Sequence, residues 1–407
     1  MGLRKPKGRA WCPRQLPSWP VRVLMVSWEY PPLVVGGIAA HAEGLATAMA
    51  RAGHEVVVFT LHHPGAPSDT VVEGVRVLRA HTDLPWIPDH DIVARMASAN
   101  HQLVQLAVQL GEWRPDVVHA HDWLAAWAGD TLKTLWTVPL VATIHATERG
   151  RHGGHLPPGQ PAAINAIEWW LTYQAAEVIC CSAFMRNEVI DGFELPPDKV
   201  HLVPNGVDPA AWSPRPPVPP REPLVVAWGR VQYEKGFQVL TAAMAQLRHR
   251  VPGVRCVIAG RGSYLPELQL QLDLEGVGDL VHLAGFVPDD ELRRLLHVAG
   301  CAVIPSLYEP FGIVALEAMA AGAPVVAART GGLAEIVDGT GAALLFEPGN
   351  ANDLADRIAE ILTSPDTAAA LCARAADLLS DRYSWDAISA GTVAVYREAI
   401  STRRADA

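Results

Sequence analysis

The sequence predicts an α/β protein made of two Rossmann-like domains, each built on a parallel sheet. The chain has 407 residues, which exceeds the size at which a single hydrophobic core stops growing. Short apolar runs alternate with helix-like segments along most of the chain, which is the pattern of βαβ units. A proline-rich stretch at residues 212–223 interrupts this alternation once. Dense proline fits neither a helix nor a central strand, so we interpret this stretch as a linker between the domains.

The first series of strands begins at residues 21–28 with the apolar run "VRVLMVSW". A loop with two glycines follows, then a helix-like segment, and then the apolar run "EVVVFT". This order predicts a right-handed βαβ unit that starts a parallel sheet. Two later runs, "PDVVHAHDW" and "PLVATIHAT", end in polar residues, as strands do where open α/β sheets bind ligands. We assign residues 21–212 to this first domain.

The alternation restarts after the linker with the runs "PLVVAWGR", "VRCVIAGRG", "LVHLAGFV" and "CAVIPS". These runs predict a second parallel sheet, and we assign residues 213–382 to the second domain. Residues 383–407 contain "YSWDAISAGTVAVYREAI", which predicts a final helix. Residues 1–20 are basic and proline-rich but lack the apolar middle of a signal peptide, so we interpret them as a disordered extension.

The composition argues against several classes of protein. A net charge of −10 is unlike that of a general nucleic-acid binder, which presents a basic face. No run approaches the roughly 18 apolar residues of a membrane-spanning helix. The six cysteines show no C-x-x-C spacing and lie mostly in apolar runs. This usage predicts reduced, buried thiols in a cytoplasmic protein.

The stretch "SLYEPFGIVALEAMAAGAPVV" at residues 306–326 carries Glu309 and Glu317. A strand, a loop and a helix are predicted in that order, so the loop brings a helix N-terminus, which is an anion site, to the end of a strand. A carboxylate among apolar residues needs hydrogen-bond donors. For Glu317 these donors are either ligand hydroxyls, such as a ribose diol, or a structural arginine, and the spacing favours neither.

The segment "GRVQYEKG" follows the first predicted strand of the second domain and carries Arg230 and Lys235. These two side chains either hold a diphosphate or are solvated surface charges. Gly36 and Gly37, and Gly332 in "TGGL", would let a phosphate approach the backbone closely, although tight turns also use such glycines. None of these loops matches GxGxxG or GxxxxGK[ST], which argues against a standard NAD or ATP site.

Two predicted strands end in "HAHDW" and "TIHA". We expect His119 and His121 to point to opposite faces of their strand, which would make them a poor pair of metal ligands. Asp122 and His145 are the better cleft candidates by position, although a lone histidine at a strand end is more often a hydrogen-bonded core residue. The "DHD" at residues 89–91 resembles a D-x-D metal motif but follows no clear strand, so we assign no metal.

Taken together, these segments resemble the retaining glycosyltransferases of the glycogen synthase and family 4 group. "VSWEYPPLVVGG" looks like the N-terminal glycine loop of that group, and "DVVHAHDW" and "TIHA" look like its active-site loops. "GRVQYEKG", "EPFGIVALE" and "RTGGLAEIV" look like its phosphate clamp, its E-x7-E motif and its second phosphate loop. The resemblance covers nearly all of the chain after residue 20. It implies the GT-B architecture, in which two Rossmann-like domains face a central cleft and the last helix crosses back to the first domain.

The resemblance also implies a role for each candidate residue. Arg230 and Lys235 would hold the donor diphosphate and stabilise its growing charge, while Glu309 would hold the sugar hydroxyls and Glu317 the ribose hydroxyls. The backbone N–H groups of the glycines would contact the phosphates, and no metal or other cofactor would be needed. The implied catalytic residues are His145, Arg230, Lys235 and Glu309. The implied donor-binding residues are Gly36, Gly37, Asp122, Arg230, Lys235, Glu309, Phe311, Gly312, Ile313, Glu317 and Gly332.

The implied function is transfer of glucose, with retention, from ADP-glucose or UDP-glucose to an α-glucan or related acceptor. The first domain would bind the acceptor and the second the nucleotide sugar. One position departs from the bacterial glycogen synthases, which usually carry lysine two residues before the glycine pair, where this chain has Val34. The alternatives are a mannosyltransferase that uses GDP-mannose on a lipid or glycan acceptor, a nucleotide-sugar epimerase, and a non-catalytic nucleotide-sugar binder. Four tryptophans either provide surfaces on which sugars stack or pack in the core: Trp28, Trp123, Trp169 and Trp170.

Overall fold

The computed structural model describes residues 19–82, 85–214 and 220–406. Most of the predicted N-terminal extension, Cys12 and the middle of the linker lie outside these residues. Two α/β units follow one another along the described chain, and each contains one sheet. The domain boundaries that we assigned from the sequence stay predictions.

The first unit contains one sheet and seven helices in its described residues. Its strands are β1 (Arg22–Val26), β2 (Glu55–Leu61), β3 (Asp69–Val72), β4 (Val75–Ala80), β5 (Val117–His121), β6 (Leu140–Ile144), β7 (Glu177–Cys180) and β8 (Val200–Leu202). Its helices are α1 (Gly37–Arg51), α2 (Ile92–Gln105), α3 (Ala126–Trp136), α4 (Glu148–Arg151), α5 (Gln160–Gln174), α6 (Ala183–Phe193) and α7 (Pro209–Trp212).

The second unit repeats this alternation and is followed by a final helix. Its strands are β9 (Glu222–Trp228), β10 (Arg255–Ala259), β11 (Val281–Gly285), β12 (Ala299–Ile304), β13 (Val325–Ala328) and β14 (Leu344–Phe346). Its helices are α8 (Phe237–Leu247), α9 (Leu265–Glu275), α10 (Asp289–Val298), α11 (Ile313–Ala320), α12 (Gly331–Val337), α13 (Ala351–Thr363) and α14 (Pro365–Arg382). The final helix is α15 (Trp385–Asp406).

The first sheet has the strand order β3-β4-β2-β1-β5-β6-β7-β8. Its strands pair in parallel, except that β3 pairs antiparallel with β4. The central strand β1 is apolar and buried after its first residue, as expected of a strand covered on both faces. In the register of this sheet, Met25 lies beside Val58 on one side and His119 on the other.

The second sheet has the strand order β11-β10-β9-β12-β13-β14, and all of its described pairs are parallel. Counted from β9, this order is 3-2-1-4-5-6, the arrangement of doubly wound dinucleotide-binding folds. Val226 lies at the centre of the sheet, between Val257 and Ala302. The prediction of two Rossmann-like units with parallel sheets is confirmed.

Each sheet has a switch point, at which the order of the strands along the sheet reverses. In the first sheet the switch point lies between β1 and β5, and in the second between β9 and β12. Ligands of open α/β sheets bind beyond the carboxyl ends of the strands at such points. Gly36 and Gly37 follow β1, Asp122 follows β5, Lys235 follows β9 and Glu309 follows β12. The topology therefore brings the candidate residues to the two switch points.

Direct contacts join the two units beside these switch points. The Oγ of Ser182, before α6, donates a hydrogen bond of 2.6 Å to the carbonyl oxygen of Pro310 in the second unit. The carboxylate of Glu335, on α12, accepts hydrogen bonds from the backbone N–H groups of Ala183 and Phe184. A carboxylate at a helix N-terminus satisfies free N–H groups and the helix dipole. These hydrogen bonds join the units at one edge of the region between the two switch points, which we call the crevice.

The final helix α15 returns from the second unit and packs against α1 of the first. Tyr396 on α15 is fully buried, and its hydroxyl lies 2.7 Å from Nδ1 of His119. The ring of Trp385 lies against Gly44 and Gly206, and a Cβ atom at either glycine would collide with it. The two glycines make room for the ring that begins α15.

No helix in the described part of the chain combines the length and apolar character that a membrane crossing requires. Five cysteines lie in the same residues, and all five are free thiols. Four of them are buried, and Cys372 is partly buried.

The contact between Trp385 and Gly44 generates the first prediction. Gly44 lies inside α1, where alanine has the better intrinsic helix propensity by about 1 kcal/mol. We expect Gly44→Ala instead to destabilise the protein by about 1–3 kcal/mol, because the new methyl group overpacks against the indole. Thermal or denaturant unfolding of the purified variant measures this effect.

Gly192→Ala is the matched control for this substitution. Gly192 also lies in a helix, α6, but a Cβ atom there would meet nothing within 4 Å. The control variant should be as stable as the wild type or more stable. Equal stabilisation by both substitutions would contradict the proposed packing of α15 on α1.

Candidate functional site

The glycine loop after β1 is held by a buried carboxylate. Gly36 is the N-cap of α1, and its backbone N–H donates a hydrogen bond of 2.9 Å to Oε2 of Glu29. The backbone N–H of Val35 donates to the same oxygen. Burial raises the pKa of Glu29 to about 7, although these two hydrogen bonds and the charge of Arg230 favour its ionised form. Glu29 therefore fixes the loop that presents the N-terminus of α1 to the crevice.

The same loop meets the second unit across the crevice. A Cβ atom at Gly37 would lie 3.2 Å from Cδ1 of Ile313, the first residue of α11. A Cβ atom at Gly36 would lie 3.9 Å from Nε of Arg230. The N-terminus of α1 and the guanidinium of Arg230 therefore lie close together, and both attract an anion.

Lys235 and Glu309 form an ion pair at the second switch point. Nζ of Lys235 lies 2.8 Å from Oε2 of Glu309, and the two side chains are 20% and 9% exposed. The hydroxyl of Ser306 donates a hydrogen bond of 3.0 Å to the same carboxylate oxygen. Gly236, with φ of 70°, follows Lys235 and packs directly on the carbonyl of Pro305. A residue with a side chain would collide there, so this glycine sets the position of Lys235 beside β12.

Arg230 is a second cation of the crevice. Burial lowers its pKa, and the charge of Arg151 adds to that effect. The carboxylates of Glu234, Glu29 and Glu309 act in the opposite direction. Arg230 therefore lies among charges from both units, where a bound anion would offset the repulsion between the two arginines.

The hydrogen-bond partner of Glu317 in the described residues is a tryptophan, and the charge of Arg293 also favours its ionised form. Nε1 of Trp228, the last residue of β9, donates a hydrogen bond of 3.3 Å to Oε2 of Glu317. Burial raises the pKa of Glu317 to about 7, and the hydrogen bond from Trp228 opposes this shift. An ionised carboxylate accepts about four hydrogen bonds, so further acceptor capacity remains for ligand hydroxyls.

A small pocket of about 40 Å³ lies between the loops that follow β9 and β12. Trp228 and Gly229 line it from β9, Lys235 from the loop that follows, and Ser306 and Glu309 from the loop after β12. Cationic, hydroxyl and carboxylate groups therefore converge within one pocket beside the switch point of the second sheet.

Three further candidate residues, Phe311, Gly312 and Gly332, lie at the beginnings of α11 and α12. Phe311 is buried and its ring packs edge-to-face on Tyr383, with 6.0 Å between the ring centroids. Gly312, with φ of 109°, is the N-cap of α11. The backbone N–H of Gly332 donates a hydrogen bond of 3.0 Å to the carbonyl of Glu309. That N–H group is used within the protein here, so Gly332 holds the Glu309 loop. Its expected contact with a donor phosphate stays a prediction.

Asp122 and His145 meet at the first switch point. Oδ1 of Asp122 accepts a hydrogen bond of 2.7 Å from the backbone N–H of His145. Asp122 is buried, and burial raises its pKa to about 6. Burial also lowers the pKa of His145 to about 3, so its imidazole is neutral near pH 7. Asp122 thus orients the loop after β6, and His145, which is partly exposed, is the group of the pair that can reach a ligand.

The expectation that His119 and His121 point to opposite faces is wrong. Their ring centroids are 4.2 Å apart, because residues two apart in a strand share a face. Ligand atoms of His41, His121 and His145 lie within 4.8 Å of one another, so these three are the described residues that could hold a metal ion. The assignment of no metal stays a prediction.

Two other sequence candidates have local structural contacts. Asp89 of the "DHD" segment pairs with Arg95 at 2.6 Å, and Asp91 caps the N-terminus of α2. The aspartates thus have surface roles.

Among the tryptophans considered for sugar stacking, Trp123 is buried and Trp169 is 45% exposed. Trp169 is therefore more available to a sugar than Trp123.

Four residues of the site were not identified from the sequence. Glu29, Trp228 and Ser306 each contact a candidate residue, and Tyr308 donates a hydrogen bond of 3.0 Å to Glu188 in the first unit. For two of these residues, the sequence contained a signal that could have identified them. Glu29 lies just after β1, and Trp228 is the last residue of β9, and both places are typical of ligand-binding residues.

Comparison with known proteins identifies the family of this chain. Residues 35–211 match the family Glycosyltransferase Family 4, and residues 210–377 match the family Glycosyl transferases group 1. The glycogen synthase of Mycobacterium tuberculosis is 38% identical over 392 residues, which cover 92% of this chain and 94% of that protein. The resemblance inferred from the motifs is confirmed.

Solved structures share the fold. Sucrose-phosphate synthase from Thermosynechococcus elongatus superposes with a TM-score of 0.80 at 25% identity, covering 94% of this chain and 100% of that one. The catalytic domain of starch synthase IV from Arabidopsis thaliana, bound to ADP and acarbose, superposes with a TM-score of 0.75 at 18% identity, covering 94% and 100% of the two chains. This chain therefore belongs to the glycogen synthase-like group of GT-B glycosyltransferases.

Proposed function

We propose that this protein is a retaining glucosyltransferase that moves glucose from ADP-glucose or UDP-glucose to an α-glucan or related acceptor. The observation that carries the proposal is the pocket in which the ammonium group of Lys235 and the carboxylate of Glu309 converge after β9 and β12. The names of two similar proteins, a glycogen synthase and a sucrose-phosphate synthase, support glucose as the transferred sugar.

In this proposal the ion pair of Lys235 and Glu309 is exchanged when the donor binds. The diphosphate takes over the positive charge of Lys235, and sugar hydroxyls donate to Glu309 in its place. Separating two largely buried charges is costly unless each finds a new partner. A nucleotide sugar supplies both partners in one molecule, so the arrangement favours this class of ligand.

The chemical step breaks the bond between C1 of glucose and the diphosphate oxygen and forms a bond from C1 to an acceptor oxygen. The leaving diphosphate gains negative charge, which Arg230, Lys235 and the N-terminus of α1 stabilise. The proton of the acceptor hydroxyl passes to an oxygen of the leaving diphosphate. Attack on the face from which the diphosphate leaves gives retention of the anomeric configuration.

Three carboxylates of the crevice, those of Glu29, Asp122 and Glu309, favour transfer over epimerisation. An epimerase needs carboxyl groups free to exchange protons with the sugar. Glu29 and Asp122 each accept hydrogen bonds from the backbone, and Glu309 is paired with Lys235. Their contacts suit positioning and charge compensation more than proton exchange.

The ribose of the donor is assigned to Glu317. Its carboxylate receives one hydrogen bond from Trp228, and the two hydroxyls of a ribose diol would add donors to it. Hydrogen bonds to the ionised form lower the pKa of a carboxylate. Donor binding would therefore stabilise the charge of Glu317, whose pKa burial raises in the donor-free protein.

The proposal predicts severe losses of turnover in two variants. We expect Lys235→Ala and Glu309→Ala each to lower kcat by about 100-fold or more, because each removes a charge-stabilising or positioning contact. Steady-state kinetics of purified, folded protein measures the change. Turnover of either variant within threefold of the wild type would contradict the assigned roles.

Arg255→Ala is the control for loss of an ion pair in the same unit. Arg255 pairs with Glu222 at 2.5 Å on the surface, where both side chains are largely exposed. Exposed pairs contribute roughly 0–1 kcal/mol, so this variant should keep its turnover within about twofold.

A screen of donors tests the proposed function itself. Purified protein is incubated with ADP-glucose, UDP-glucose or GDP-mannose, with and without maltooligosaccharides, and nucleotide release is measured. The proposal predicts acceptor-dependent release from at least one glucose donor and lengthened oligosaccharides. Release from GDP-mannose alone would identify a mannosyltransferase, and conversion of the sugar without acceptor would identify an epimerase.

Glu317→Gln separates the energetic cost of the partly buried carboxylate from its role in donor binding. The raised pKa means that folded protein retains a proton that the unfolded chain loses between about pH 4.5 and 7, so stability falls as pH rises through this window. Glutamine has no such charge. The free energy of unfolding of the donor-free variant should therefore exceed that of the wild type between pH 5 and 8 by an amount on the order of 1–3 kcal/mol, which raises its melting temperature.

The same variant should have a higher donor KM, because a carboxylate accepts more hydrogen bonds from a diol than a carboxamide does. Glu275→Gln, on an exposed helix end, controls for the loss of one negative charge. A pH-independent difference in melting temperature, or an unchanged donor KM, would rule out the corresponding role of Glu317.

A further inference from the structure

We propose that His121 is a positioning residue that donates its Nδ1–H to Nε2 of His145 and so keeps the proton of His145 on Nδ1. His145 then offers an Nδ1–H donor to a hydroxyl of the bound sugar. This assignment rests on the proposed function, since it gives His145 the donor sugar as its partner. It adds a residue beneath the site that acts only through His145.

The geometry of the two rings supports a direct hydrogen bond. Nδ1 of His121 lies 3.1 Å from Nε2 of His145, and the rings are nearly parallel, with 19° between their planes. A neutral imidazole has one N–H and one bare nitrogen, so one ring donates and the other accepts. Burial lowers the pKa of both rings well below neutrality, so both are neutral in the donor-free protein.

The remaining nitrogen of His121 decides which ring donates. Nε2 of His121 is buried and has no hydrogen-bond partner in the described residues. If it carried the proton, a buried N–H donor would be left without an acceptor. Buried backbone N–H groups without acceptors are rarer in proteins than under-satisfied carbonyl oxygens, and we apply the same preference to the ring nitrogens. The proton of His121 is therefore assigned to Nδ1, and His145 accepts it at Nε2.

A second layer of contacts holds His121 in place. The ring of His119 lies 4.2 Å from that of His121, centroid to centroid. His119 is in turn bonded on both sides, to the hydroxyl of Tyr396 at 2.7 Å and to the hydroxyl of Thr143 at 2.7 Å. This satisfied layer fixes the ring of His121 and the direction of its Nδ1–H. A fixed second shell of this kind orients the tautomer of the ring above it.

The assignment differs from a metal site built on the same side chains. A metal ion held by His41, His121 and His145 would need a bare nitrogen from each ring. In the proposed arrangement the one bare nitrogen of His145, Nε2, already accepts the hydrogen bond from His121. A metal ion would need that lone pair, so metal binding and the proposed hydrogen bond exclude each other, which an experiment can detect.

Spectroscopy on donor-free protein tests the assignment without any substrate. Long-range ¹H–¹⁵N spectra of protein labelled at histidine report the protonated nitrogen of each ring, and the His121→Phe and His145→Phe spectra assign the signals. We expect the proton of His145 on Nδ1. A proton on Nε2 of His145, or one bound metal ion per chain in the purified protein, would overturn the proposal.

Three substitutions test the effect on turnover. The side-chain amide nitrogen of Asn can occupy the place of Nδ1, and that of Gln the place of Nε2. We expect His121→Asn to keep kcat within about fivefold, whereas His121→Gln and His121→Phe lose about 10–100-fold with smaller changes in donor KM. Wild-type turnover in a folded His121→Phe variant, or better rescue by Gln than by Asn, would overturn the proposal.

His201→Asn is the control for loss of a histidine at a strand. His201 lies on β8 and pairs with Glu177 at 2.8 Å. We expect its turnover within about twofold of the wild type. If no nucleotide sugar is consumed by the wild type, the proposed function fails while the tautomer result still stands; a correct tautomer with unchanged turnover in His121→Phe overturns the positioning role alone.

Discussion

The ion pair between Lys235 and Glu309 is the interaction on which the crevice depends. Both charges are largely buried, so removing one partner without replacement costs about 3–5 kcal/mol. Ser306 adds a hydrogen bond to the carboxylate, and Gly236 fixes the loop that carries the lysine. In the donor-free protein the charges of Lys235 and Glu309 neutralise each other. The proposal holds that a diphosphate and a sugar exchange with it, one for each partner.

The carboxylates of the crevice divide into two kinds by the donors that meet them. Glu29 and Asp122 accept hydrogen bonds from backbone N–H groups of adjoining loops, which a ligand does not displace without moving the chain. Glu309 and Glu317 are met by side chains, those of Lys235, Ser306 and Trp228. The first kind therefore shapes the loops. The second kind can change partners, which is what binding a polyhydroxyl ligand requires.

The sequence predicted the α/β class and the loops of the site, because apolar strand runs and the polar residues at their ends are local signals. It left Glu317 undecided, because its partner Trp228 lies 89 residues away in the chain. Nor did it show that the N–H of Gly332 is used within the protein, a contact that depends on how α12 packs on the Glu309 loop. The prediction that His119 and His121 point to opposite faces was wrong, because side chains two residues apart in a strand share a face.

The central claim is that the Lys235–Glu309 pair stands where the donor binds. Calorimetric titration of ADP or UDP into wild type and Glu309→Gln tests it most directly. Glutamine frees the lysine while leaving the loop nearly unchanged in size. The account predicts that the variant binds the nucleoside diphosphate as tightly as the wild type or more tightly, although it no longer transfers sugar. Weaker nucleoside diphosphate binding by a folded variant would contradict the account.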